Sequence, residues 1–170
     1  MPLEKADISG YVEFGTLIAC ISVKGSERMQ KILLATHGHL ASGLLSTLKI
    51  ITGDVTNVQA IDGYTEAEDI TSIIASAIDD ISVDDQLVVF TDLLGGSVNQ
   101  LVTNLAMEKQ VPAIIVSGFN VALVLAVLLS NETVTRSQMQ QYIEEARQGM
   151  TMVDMPEIKS DNMGEDDFFS

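Results

Sequence analysis

Basic residues are scarce in this sequence. Nine Lys and Arg face 24 Asp and Glu across 170 residues, a net charge of −15 at pH 7 with the histidines neutral. No cluster of Lys or Arg occurs, which argues against nucleic-acid binding, since phosphate recognition needs grouped cations. The same deficit argues against attachment to an anionic membrane surface. The one cysteine, Cys20, permits neither an internal disulfide nor a Cys/His zinc framework, so a reducing intracellular setting is expected. Long apolar runs are missing too. The longest, Val121 to Leu129, covers nine residues against the roughly 20 of a spanning helix. The N-terminus sets Glu4 and Asp7 ahead of a short apolar stretch, Leu17 to Val23, with no small-residue cleavage pattern. It makes a poor signal peptide, and a cytoplasmic location is expected.

What the chain does have is apolar material. It is 46% hydrophobic and only 19% charged, enough for one domain with a sizeable core. Gly10, Gly15 and Gly25 interrupt residues 1–28 without a sustained apolar period, so this stretch reads as an N-terminal extension or leader. Residues 29–158 read as the domain and 159–170 as an acidic flexible tail. Within 29–158 there are 5 basic and 16 acidic residues, a net −11. The acidity therefore belongs to the domain.

From Met29 onward strands and helices alternate. Lys31 to Thr36 reads as a buried strand, and Leu40, Leu44, Leu45, Leu48 and Ile51 recur at helical spacing up to Gly53-Asp54. Asn57 to Ile61 is a second strand. Thr65 and Glu68 form a capping-box pair ahead of the stripe Ile70, Ile73, Ile74, Ala77, Ile78 and Ile81. Gln86 to Thr91 is a third strand, and Ser97 with Gln100 makes a second capping pair before Leu101, Val102, Leu105 and Ala106. Val111 to Ser117 is a fourth strand, followed by helices over about 120–130 and 135–149. Met150 to Met155 reads as a possible fifth, antiparallel strand. This pattern predicts an α/β fold, doubly wound, with a mostly parallel four-stranded sheet in the order 2-1-3-4 and helices on both faces.

Ligands of an open α/β sheet bind at the carboxyl ends of the strands, where the strand order reverses. That rule selects Ala35-Thr-His-Gly-His-Leu40 and Thr91-Asp-Leu-Leu-Gly-Gly-Ser97, and predicts that His37 and Asp92 face each other across the crevice. An ordinary imidazole is largely neutral at pH 7. A carboxylate on one ring nitrogen fixes the tautomer and leaves the other nitrogen as a directed nucleophile. Gly95 and Gly96 allow close backbone approach, and the helix opening at Ser97 presents a partly positive end, so together they can cradle a phosphoryl group. Each piece alone has a plainer account: a structural histidine at a strand end, Asp92 capping a turn, a tight Gly-Gly turn, and Ser97 as an N-cap. His37-x-His39 has no third ligand nearby, so no metal and no cofactor are expected. Only the conjunction of these residues at two strand ends points to a site.

At these residues the chain resembles the IIA component of the mannose-type sugar phosphotransferase system. Lys31-Ile-Leu-Leu-Ala-Thr-His-Gly-His-Leu-Ala-Ser-Gly43 and Thr91-Asp-Leu-Leu-Gly-Gly-Ser97 carry the resemblance, which covers about residues 29–149. It implies that His37 is phosphorylated by the phosphocarrier protein HPr. It further implies that His37 passes the group to a IIB component, which phosphorylates sugar entering through the membrane IIC and IID components. It implies Asp92 as the hydrogen-bond partner of His37, and Gly38, Gly95, Gly96 and Ser97 as the phosphate-binding residues. The family commonly dimerises, sometimes exchanging a C-terminal strand, which implies a homodimer with Met150 to Met155 as the candidate strand. Val98 stands where the family often has proline, a helix-entry difference only, and His39 stands where the family varies.

Two functions fit the resemblance: a phosphohistidine carrier in sugar uptake, or a regulatory module whose His37 phosphorylation state is read by a partner protein. A nucleotide-binding domain fits less well, because the G-x-x-x-x-G-K-[ST] loop is missing. The transported sugar is not legible in this chain.

Overall fold

The computed structural model describes residues 28–65, 69–130 and 132–155. Cys20, residues 1–27 of the expected extension and the whole acidic tail lie outside them. Four strands, β1 (Gln30–His37), β2 (Val58–Gly63), β3 (Gln86–Thr91) and β4 (Ala113–Ser117), alternate with helices. These are α1 (Leu40–Thr52), α2 (Ile70–Asp79), α3 (Ser97–Glu108), α4 (Val121–Leu128) and α5 (Arg136–Gln148). All strand pairs are parallel and the order is β2-β1-β3-β4, as the alternation predicts.

The central strands are apolar at successive positions because both faces are covered. On one face Ile32, Leu34, Val88 and Phe90 pack under α1, α4 and α5, with Leu44, Leu48, Val124 and Met139. On the other, Leu33, Ala35, Leu87 and Val89 pack under α2 and α3, with Ile74, Ile78, Val98 and Val102. The period of two in β1 and β3 and the helical stripes thus close two cores on one sheet. Each fully buried large side chain of this kind contributes about 1.5–3 kcal/mol. Register aligns the carboxyl ends: His37 lies opposite Gly63, Ala35 opposite Thr91, and Thr91 opposite Ser117.

Three local expectations change. Helix α2 starts at Ile70 under Asp69, whose carboxylate accepts from Thr71 N–H. Thr65 instead donates to the Asp62 carbonyl, and Glu68 lies outside the described residues. Helix α3 is capped by Gly96, and the Ser97 side chain caps nothing. Its presumed partner Gln100 reaches back to the Gly95 carbonyl at 2.7 Å. In each case a partner outside the expected box takes a side chain: the Asp62 carbonyl for Thr65 and the Gly95 carbonyl for Gln100. Met150 to Met155 are exposed and form no strand: with neither face of the segment buried, no packing holds it to a sheet edge. Among the described residues, no helix is long and apolar enough to cross a membrane.

Candidate functional site

β1 ends at His37 and β3 ends one residue before Asp92, so the adjacent parallel strands deliver both side chains to the same edge. Asp92 Oδ2 lies 2.8 Å from His37 Nδ1 and accepts the His37 backbone N–H at 3.0 Å. The other oxygen accepts Leu93 N–H at 2.9 Å. Burial pushes the Asp92 carboxyl up, but the His37 N–H, the His37 ring and the Leu93 N–H outweigh it. The group stays below the usual carboxylate range.

An ionised carboxylate only accepts, so Nδ1 carries a proton, and in the neutral imidazole Nε2 then holds the lone pair. Ser97 Oγ sits 2.9 Å from Nε2 and donates to it. The hydroxyl is free for this because Gly96, not Ser97, is the N-cap. Ser97 occupies the first turn of α3, whose leading amides have no partner inside the helix. The ring is 37% exposed while Asp92 is 13% exposed: the base is reachable and its orienting group is sheltered.

The loop between Asp92 and Ser97 is pinned from below. Asn99 Oδ1 accepts Gly95 N–H at 3.1 Å, and Asn99 Nδ2 donates to Thr91 Oγ1, which bonds Ser117 Oγ. Gly95 has φ +71°. Gly96 is tight for another reason: a Cβ there would lie 3.1 Å from Leu93 Cβ and 3.5 Å from His37 Cε1. Its N–H closes the turn onto the Leu93 carbonyl. Gly38 has φ +57° and donates its N–H to the Gly63 carbonyl, which joins the start of α1 to the end of β2.

His39 sits outside this constellation. It is 80% exposed, with Nδ1 2.9 Å from Asp62 Oδ2. Asp62 also accepts Ser42 N–H and the Ser42 hydroxyl, serving as a remote cap for α1. Burial pushes Asp62 up, but the Ser42 hydroxyl, the His39 ring and the Ser42 N–H bring it below the usual range. No group of three or more His, Cys, Asp or Glu able to hold a metal occurs among the described residues.

Three participants escape the sequence patterns. Tyr64 stacks on His37 with ring centroids 5.4 Å apart and planes 16° apart. Asn99 braces the glycine loop, and Asp62 caps α1 from another strand. Of these only Asp62, an acidic residue at a strand's carboxyl end, carries a pattern that marks it.

Residues 31–147 match the EIIA-man family, described as PTS system fructose IIA component. The chain belongs to this family. As a IIA-family protein it is a component of sugar transport by the phosphotransferase system, with a general phosphotransferase role. Among solved structures, component EIIA from Streptococcus agalactiae is 27% identical with a TM-score of 0.59, covering 74% of this chain and 97% of its own. The PTS IIA protein associated with the fucose utilization operon of Streptococcus pneumoniae is 24% identical, with a TM-score of 0.64 and coverage of 74% and 94%. The mannose/sorbose-specific IIA subunit of Enterococcus faecalis is 22% identical, with a TM-score of 0.61 and coverage of 76% and 98%. The last two likenesses speak for the fold alone. No curated protein matches significantly.

Proposed function

We propose that this chain is a phosphohistidine carrier of the phosphoenolpyruvate-dependent sugar phosphotransferase system, taking a phosphoryl group from HPr on His37 and handing it to a IIB component. One observation carries the reading: His37 is held at both ring nitrogens, by Asp92 at Nδ1 and by Ser97 at Nε2. With the proton kept on Nδ1, the Nε2 lone pair attacks phosphorus as the donor's nitrogen–phosphorus bond breaks. Asp92 then faces the positive charge left on the ring. Ser97 O–H turns from Nε2 to a phosphoryl oxygen, and the leading amides of α3 face the same group. Gly95 and Gly38 set the two turns, and Gly96 admits the loop to within contact of the ring. None of these residues is Lys or Arg, which suits a group held briefly and passed on.

The working unit is residues 29–158, acting in the cytoplasm, with 1–28 an extension and 159–170 a tail. Sugar entry through IIC and IID follows from IIB. A homodimer fits the exposed Met150, Met152, Val153 and Met155 and an edge strand β4 that, among the described residues, pairs on one side only.

The test is to incubate the full chain with phosphoenolpyruvate, enzyme I and HPr, and then with the cognate IIB protein. One acid-labile phosphoryl group, mapped to His37 by tandem mass spectrometry and then moved to IIB, is the expected result. A chain that stays unmodified, or is modified equally in His37→Ala, overturns it. Uptake without onward transfer supports the regulatory reading instead.

A further inference from the structure

Tyr64 has φ +62°, the left-handed region in which a side chain crowds the backbone. Its surroundings hold it there. Gly63 before it is so tightly packed that a Cβ would lie 2.5 Å from Ile70 Cδ1 and 2.9 Å from the Thr36 carbonyl. The Gly63 carbonyl accepts Gly38 N–H at 2.8 Å, and the Thr65 hydroxyl donates to the Asp62 carbonyl at 3.2 Å. Strain maintained by several neighbours at a site edge points to what the strained residue delivers. Core burial does not account for it, because Tyr64 is 60% exposed. What the turn delivers is an aromatic face laid on the His37 imidazole, 5.4 Å away and near parallel.

We infer that Tyr64 gives the His37 ring a π face that stabilises the positive charge the imidazole acquires when it carries a phosphoryl group. The inference rests on the functional reading of His37 above. Neutral His37 bears its proton on Nδ1. When the Nε2 lone pair forms the new nitrogen–phosphorus bond, the donor's bond breaks and the donor nitrogen keeps that electron pair. The Nδ1 proton stays, nothing is oxidised or reduced, and the ring becomes an imidazolium. Asp92 meets that charge in the ring plane. The Tyr64 quadrupole meets it from the face, within the ~6 Å over which cation–π attraction acts. Phosphorylation also removes the Ser97 bond from Nε2, leaving the Asp92 bond in the ring plane and Tyr64 on the ring face. Tyr64 is a supporting residue here; its substitution moves the poise of transfer without removing the nucleophile.

The experiment is the equilibrium between phosphorylated HPr and the full chain, with both phosphorylated fractions read by intact mass spectrometry. An equilibrium constant is indifferent to how fast the proteins dock, so a docking or purely structural role for Tyr64 leaves it unchanged. Tyr64→Phe keeps the face and should match the wild type. Tyr64→Leu and Tyr64→Gly should lower the constant about two- to fivefold. Tyr64→Gly should melt at or above the wild-type temperature, because glycine takes positive φ freely. Wild-type constants in the Leu and Gly variants, a Phe variant as low as Leu, or a Gly variant that melts earlier each overturn the inference. A wild-type chain that takes nothing from HPr fails the functional reading instead. The same variants are then compared with phosphoramidate, which phosphorylates histidine without docking.

Discussion

Asp92 grips His37 twice with one oxygen, at the ring Nδ1 and at the backbone N–H of the same residue. Ring orientation and strand-end position are thereby set by a single carboxylate. Replacing it by an amide removes the charge that favours the protonated Nδ1. Asp92→Asn is expected to slow phosphoryl uptake about 10²-fold and to cost about 1–2 kcal/mol of stability as the charge-assisted bonds weaken. Quench-flow uptake from phosphorylated HPr and a urea melt read the two effects separately.

Ser97 separates two roles that one serine at a helix start can play. Because Gly96 is the cap, Ser97→Ala should change stability by less than about 0.5 kcal/mol. Its effect on uptake should be about 10²-fold, that of losing one donor to the transferring group. A loss of about 1 kcal/mol with normal uptake would return Ser97 to a capping role.

Gly95 and Gly96 are expected to respond for different reasons. Gly96 has φ −66°, so Gly96→Ala is free of backbone strain. Its Cβ must displace Leu93 or press toward the His37 ring. We expect about 1 kcal/mol of destabilisation with a disproportionate fall in uptake. Gly95→Ala meets open space but keeps φ +71°, and should cost about 1 kcal/mol with a smaller kinetic effect. A chemical-shift change at His37 in the Gly96 variant alone would distinguish them.

Acid should weaken the fold through Asp92 and Asp62, both held below the ordinary carboxylate value. Groups depressed in the folded state contribute fully above their unfolded value. Their contribution is lost as pH falls through about 4 toward the lower folded value. Urea midpoints should therefore be flat from about pH 7 to 5 and fall below that. Asp62→Asn should show a shallower fall than the wild type; an identical acid limb would remove Asp62 from the account.

Net charge offers a kinetic test. With −11 on residues 29–158, association with a basic face of HPr should slow as salt rises. A rate constant that stays level across a salt series would leave the charge to solubility.

Much of the architecture was legible because hydrophobic period encodes which face a residue occupies. The runs at β1 and β3 and the stripe from Ile70 to Ile78 made the parallel α/β sheet readable. The rule for strand ends brought His37 and Asp92 together before any coordinates did. Side-chain direction beyond the strand ends was not legible. Ser97 with Gln100 spells a capping box, yet its hydroxyl goes to a ring 60 positions away. Local pattern contains no record of that competitor.

The sequence by itself determined the strand–helix order, the two apolar faces of the sheet, the family and the edge at which the histidine and aspartate meet. These follow from periodicity and from short motifs, both local properties. Only the tertiary structure decided that Ser97 turns to Nε2, that Asp62 caps a helix begun on another strand, and that Tyr64 lies across the His37 ring. Each depends on where chain segments far apart in sequence close upon one another. Sheet register and packing set that closure, and no window of residues contains it.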